Sequence, residues 1–182
     1  FADHEPEAAL KKEFYRNAEA DYRSAVALNP LLAPAASQAE LCALSAEGTE
    51  SRAWEQCIRK LEELCRRHPL DAHVRWTLAG IRVGAMNFSA RPAEESLESA
   101  RRDLLEAIRL RPELVEAHWL LGGVCRRLAA LLLGQNRDGG EWFDCSLQAF
   151  ERAVEIAPGQ SKGYAGRAES RPQHGLSRPQ AK

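Results

Sequence analysis

The chain has 182 residues and lacks a surplus of either charge: 25 Lys and Arg stand against 26 Asp and Glu. Without a basic excess, a general nucleic-acid or membrane-surface binder is excluded, although a local patch is not. Long apolar runs are missing too. The longest, near Leu128–Gly134 (LAALLLG), falls far short of the roughly 20 residues that span a bilayer. No signal-peptide pattern opens the chain. It starts at Phe1 rather than Met, so this end reads as a processing point or a cut edge; the compartment expected is the cytoplasm. Disulfide framework spacing is also absent. The five cysteines, at 42, 57, 65, 125 and 145, are odd in number and contain no CxxC, which predicts reduced and mostly buried thiols. A hydrophobic content of 45% excludes a chain disordered throughout.

Signatures of chemistry are equally scarce. No glycine pattern matches a phosphate-binding loop, and GQNRDGG (Gly134–Gly140) lacks the lysine and the order; its composition predicts a plain loop. No HExxH occurs. Cys65, His68 and His73 lie close in sequence, with Cys57 eight residues before Cys65. Zinc requires three or four convergent ligands, and Cys57 falls where a helix core needs it. His118 precedes Cys125 by seven residues, which on a helix separates them by about 10 Å, too far for a base to activate a thiol directly. Asn87 opens the triplet NFS, a glycosylation acceptor only in a secreted chain and frequent by chance. The expectation is no catalytic residue, no metal and no cofactor.

What the sequence does have is repetition. Four segments end alike: AEADYRSAVALNP (Ala18–Pro30), CIRKLEELCRRHP (Cys57–Pro69), ARRDLLEAIRLRP (Ala100–Pro112) and SLQAFERAVEIAP (Ser146–Pro158). A small residue leads each one. A large apolar residue follows four later: Tyr22, Leu61, Leu104 and Phe150. Ala25, Leu64, Ala107 and Ala153 come three after that, and proline closes the phrase. The spacing i, i+4, i+7 places these groups on one helical stripe, and the proline stops the helix. After the prolines a second pattern begins, with Leu78-Ala79 and Leu121-Gly122 at matching places: a core residue, then a small one that lets two helices cross closely. Each copy is a helical hairpin.

These residues resemble the tetratricopeptide repeat (TPR) family, whose pattern is W-x2-L-G-x2-Y, then A-x3-F, then P. WLLGGVC (Trp119–Cys125) and SLQAFERAVEIAP carry the likeness best. It runs from Ala18 to about Ala168. The second copy is degenerate, with Cys57, Leu61 and Leu64 in place of Ala, Phe and Ala. The prolines at 30, 69, 112 and 158 are 39, 43 and 46 residues apart, against about 34 in the family. The excess falls near Ser45–Ser51, Asn87–Ser96 and Gly134–Glu141, where longer helices or loops are expected. The tryptophans sit one place later than the family's tryptophan.

The resemblance implies an all-α fold: a right-handed alpha-alpha superhelix of TPR-like hairpins with long intra-repeat loops. The array is expected over residues 1–168, followed by a disordered, mildly basic tail at 169–182 that carries SRPQ twice. Glu7–Leu28 reads as one long helix with no room for a partner before it, and SKGYAGRA (Ser161–Ala168) opens a helix whose partner is missing. Half-repeats at both ends suggest a piece of a longer protein, or ends that dock on a partner or on another copy.

In TPR-like arrays the first helix of each repeat lines the inner face, which generally binds peptides or helices of other proteins. The inner residues expected here are Leu41 and Leu44, then Trp76, Gly80 and Val83, then Trp119, Gly123, Arg126 and Arg127. A Trp four residues before a Gly makes a shelf beside a cleared floor, and Arg126 with Arg127 suits an acidic group or a carboxyl terminus. The competing use of both tryptophans is packing between helices, and of both arginines a solvated face. Some TPR domains hold a chaperone's carboxyl terminus with a ring of Lys, Asn and Arg. Ser37, Leu41, His73, Trp76, Thr77, Gly80, Glu116 and Leu120 occupy the matching places, so that clamp is absent. The function expected is a non-catalytic scaffold that binds a peptide or helix of a partner protein on a concave groove, with no nucleic acid and no membrane insertion. The second reading is a docking or regulatory segment of a larger enzyme or of a transport or assembly complex.

Overall fold

The computed structural model describes residues 5–47, 51–88 and 92–170. Within these the chain is α-helical, and no strand occurs among the described residues. Eight helices follow in order: α1 (Glu5–Leu28), α2 (Ala33–Glu47), α3 (Ser51–Arg67), α4 (Ala72–Ala85), α5 (Ala93–Leu110), α6 (Val115–Gly134), α7 (Gly140–Ile156) and α8 (Ser161–Ser170). The all-α fold of TPR-like hairpins expected from the sequence is the fold found. The tail from 171 onwards lies outside the described residues, as does Ser89 of the NFS triplet.

The four prolines act as identical stop signals. Helices α1, α3, α5 and α7 end at Leu28, Arg67, Leu110 and Ile156, each two residues before its proline. Proline brings no backbone N–H to extend the helix, and it biases the residue before it towards extended backbone. The chain then turns and starts again within a few residues. At the first turn the Asn29 side chain accepts from the Leu31 backbone N–H at 3.1 Å. At the second, Asp71 caps α4 by accepting from the N–H groups of His73 and Val74 at 2.9 and 3.1 Å, an arrangement that stabilises a helix by about 1 kcal/mol.

The chain divides into two compact units, Phe1–Leu110 with α1–α5 and Arg111–Lys182 with α6–α8. In each, successive helices pack on one another, and the alternate pairs α2 with α4 and α6 with α8 also touch. The residues of the repeated phrase form the cores. Leu61, Leu104, Ala107, Ala153 and Phe150 are buried, and Leu64 joins Leu44, Val74, Leu78 and Ile81 in one cluster of the first unit. The first copy differs: Tyr22 is 37% exposed, because α1 packs only on α2.

One bond repeats across the units. Cys57 Sγ donates to the Glu40 carbonyl at 3.7 Å, and Ser146 Oγ donates to the Gly122 carbonyl at 2.8 Å. Both donors are the small residue that leads a repeated phrase, and both acceptors stand ten residues past a proline. The hairpins therefore share register as well as sequence pattern.

The extra residues relative to the family's repeat length go partly into helix. Helix α6 has 20 residues and α4 has 14. Only 135–139 remain non-helical in the glycine-rich stretch, where Asn136 takes a left-handed φ of 56° after the helix end, a conformation asparagine tolerates. Gly139 is held there by contact: a Cβ on it would come within 2.8 Å of the Ala129 carbonyl oxygen.

Candidate functional site

The first helices of the hairpins are α2 and α4 in the first unit and α6 and α8 in the second. Gly122 and Gly123, adjacent on α6, set up the second unit's surface by facing opposite surroundings. A Cβ on Gly122 would lie 2.7 Å from the Phe150 ring, and one on Gly166 of α8 would also collide with that ring. Phe150 of α7 thus fills the space between two helices that both dispense with a side chain there. Beside it, Ser146 and Ser170 meet at 2.8 Å, and Ser170 Oγ also donates to the Gly166 carbonyl at 2.8 Å. This packing fixes α8 against α6 and α7.

Gly123 points elsewhere: among the described residues, no atom outside its own stretch of α6 comes within 4 Å of where its Cβ would be. Trp119, one turn earlier, is half-buried. Its Nε1 would lie 3.4 Å from a Cβ on Gly163, so the indole rests against α8. One turn later, Arg126 reaches α8 as well, pairing with Glu169 at 3.2 Å, with side-chain exposures of 41% and 57%. The Nε–H of Arg126 is buried, with no hydrogen-bond acceptor among the described residues. Arg127 is exposed. Of Trp119, Gly123, Arg126 and Arg127, picked out in the sequence as one stripe, Trp119 and Arg126 therefore reach α8, Gly123 faces open space and Arg127 is exposed.

In the first unit, Trp76, Gly80 and Val83 are all half-buried on α4. The Trp76 ring is tilted 55° to His73 at a centroid distance of 4.9 Å. His73 Nε2 lies 3.3 Å from Gln38 Nε2 of α2; an amide nitrogen can only donate, so the imidazole accepts there. Leu41 of α2 is half-buried, but Leu44 is 5% exposed within the core cluster. Leu44 therefore leaves the expected inner face, since its position on α2 turns it towards α3 and α4. Trp76 and Trp119 belong to different units, and each serves its own.

The residues weighed for chemistry are occupied in packing. Among the described residues no three His, Cys, Asp or Glu side chains gather as a metal site. His118 is buried, and its Nε2 donates to the Pro112 carbonyl at 2.8 Å. Cys125 is fully buried. Burial pushes the Cys65 thiol up to about 11, which keeps it protonated and unreactive near neutral pH.

Three features of the first unit have no counterpart in the sequence reading. Glu40 stands where Ala79 and Gly122 stand in the later copies, ten residues past its proline. It binds Arg23 of α1 at 3.3 Å and Lys60 of α3 at 2.7 Å, tying three helices together. Arg82 of α4 pairs with Glu62 of α3 at 2.7 Å and Asp103 of α5 at 2.9 Å. Burial raises the Asp103 carboxyl above its ordinary value, against the pull of Arg82. Trp54 of α3 lies over Gly84, whose added Cβ would be 2.6 Å from the ring, and stacks on Phe88 at 5.5 Å. A glycine facing an aromatic is the signal that exposes the last pair, but the two lie 30 residues apart.

No family model matches this sequence, and no curated protein matches it. Solved structures do. The crystal structure of MamA protein superposes with a TM-score of 0.52, covering 88% of this chain and 80% of that one at 15% sequence identity. The likeness is one of fold.

Proposed function

We propose that this chain is a non-catalytic protein-interaction scaffold that binds a peptide or helical segment of a partner protein on the surfaces formed by its first helices. The observation that carries this reading is the half-burial of Trp76 and Trp119 at the same place in two copies of the repeat. The phrase residues around them, such as Leu61, Leu104 and Phe150, are sealed in the cores. A half-buried tryptophan is pre-ordered and retains apolar area for a partner to cover, which is why interface hot spots favour it. Gly80 and Gly123, one turn on, remove side chains that would otherwise stand beside the rings. Trp76 and Trp119 with Gly80, Val83, Gly123, Arg126 and Arg127 are the residues assigned to partner contact.

The test is the double variant Trp76→Ala with Trp119→Ala, assayed against peptides selected from a random library on the unaltered protein. The expected result is affinity weakened by at least tenfold, about 1.4 kcal/mol, with the helical melting transition nearly unchanged. A collapse of the melting transition would assign both rings to the core, and unchanged affinity would remove them from the interface.

A further inference from the structure

Helix α1 is held differently from the other helices of the first unit. It packs on α2 alone, whereas α2 also packs on α3 and α4. The two sides of α2 divide accordingly. Ala33, Leu41 and Leu44 belong with the core cluster that includes α3 and α4. Ala39, Cys42 and Ala46 are buried as well. They follow the spacing i, i+3, i+7, and at about 100° per residue their stripe runs roughly opposite Leu44. Among the described helices, α1 is the neighbour left to cover it. Burial, and after it the charge of Glu19 on α1, raise the Cys42 thiol above its ordinary value, so Glu19 lies near that thiol.

The cover itself is thinly anchored. Across residues 8–28 of α1 no side chain is buried. Tyr15, Ala18, Ala25 and Val26 reach half-burial, while Leu10 and Phe14 stand 66% and 67% exposed. Segments that bury few apolar groups open locally, well below the cost of global unfolding.

The ion pair across the contact is built to part. Arg23 of α1 reaches Glu40 of α2 at 3.3 Å. Each has a nearer partner on its own side: Arg23 pairs with Glu19 of α1 at 2.8 Å, and Glu40 with Lys60 of α3 at 2.7 Å. Breaking a shielded pair is costly when it strands a charge. Parting Arg23 from Glu40 strands neither, because both remain paired.

We propose that α1 is a releasable strap, latched by Arg23 and Glu40, which lifts from α2 while α2–α5 stay folded and so bares the stripe of Ala39, Cys42 and Ala46. The strap decides whether that side of α2 is accessible. Cys42 is the native reporter of its opening, since a buried thiol with a raised pKa reacts slowly until it is uncovered.

The test labels the intact chain with N-ethylmaleimide in urea below the unfolding midpoint and follows each cysteine by mass spectrometry. Cys42 should be modified at least about tenfold faster than Cys65 or Cys125, which are buried away from α1. In parallel, the amides of α1, a helix that frays without its packing, should exchange before those of α3. Arg23→Gln should speed Cys42 labelling about two- to fivefold, the size of a half-exposed ion pair. It should leave unchanged the urea midpoint read by the four tryptophans, all of which lie outside α1. Labelling of Cys42 that keeps pace with Cys65 and appears only with global unfolding would overturn the strap. Fast labelling with the α1 amides still protected would overturn it too, because the thiol would then be reachable with α1 in place. An unchanged rate in Arg23→Gln would overturn the latch.

Discussion

At the residue scale the glycines show how little of a position's meaning its identity carries. Gly122 and Gly123 are neighbours on one helix, yet a Cβ on the first would lie 2.7 Å from the Phe150 ring and one on the second would meet nothing within 4 Å among the described residues outside its own stretch of helix. Their alanine variants should move stability in opposite directions. Gly122→Ala forces a methyl into a ring held on its other side by Gly166, an overpacking that costs about 1–3 kcal/mol. Gly123→Ala meets no neighbour and gains about 0.8–1 kcal/mol of helix propensity. Urea midpoints of the two variants decide the matter; equal shifts would mean that Phe150 is not where this packing puts it. The LeuGly pair was legible in the sequence because Gly122 continues a family pattern. Gly123 was legible only as a place on a stripe, since openness depends on α8, which lies more than 30 residues further along.

At the element scale the helix boundaries were the most readable feature. Four prolines each stop a helix two residues upstream, a local effect that needs no tertiary partner. Asp71 is equally local: Asp71→Ala should cost about 1 kcal/mol, read as a lowered melting temperature, because two backbone donors lose their acceptor. An unchanged melting temperature would show that water replaces the cap at no cost. What stayed illegible were contacts between helices made by charged residues. Glu40 and Arg82 sit in pattern positions without matching the pattern, so periodicity assigned them nothing, and only the folded chain brings Arg23, Lys60, Glu62 and Asp103 to them. Asp103 gives this network a titration of definite sign. Burial raises its folded-state pKa above the unfolded one, so the stability it contributes is full below the ordinary Asp range and is lost as pH rises through the raised value. Stability of the wild type minus that of Asp103→Asn should therefore fall as pH rises across the acidic range in a series of urea titrations. A rise would mean that attraction to Arg82 outweighs burial.

At the scale of the whole molecule, the repeat explains why one sequence phrase is written four times. A hairpin of two helices has more apolar face than it can bury alone, and a neighbour supplies the rest. The same logic leaves the first helices touching one another, α2 with α4 and α6 with α8, and the proposed partner would meet their other sides. The identity of that partner was never legible, because the phrase encodes packing, while the residues proposed for recognition, Trp76 and Trp119 among them, are ones that packing leaves half-buried. The most direct measurement is amide hydrogen exchange of the intact chain with and without a library-selected peptide. The account predicts slowed exchange in α4 and α6, the helices carrying the two tryptophans, with α3, α5 and α7 unaltered. Protection confined to α3, α5 and α7 would contradict it.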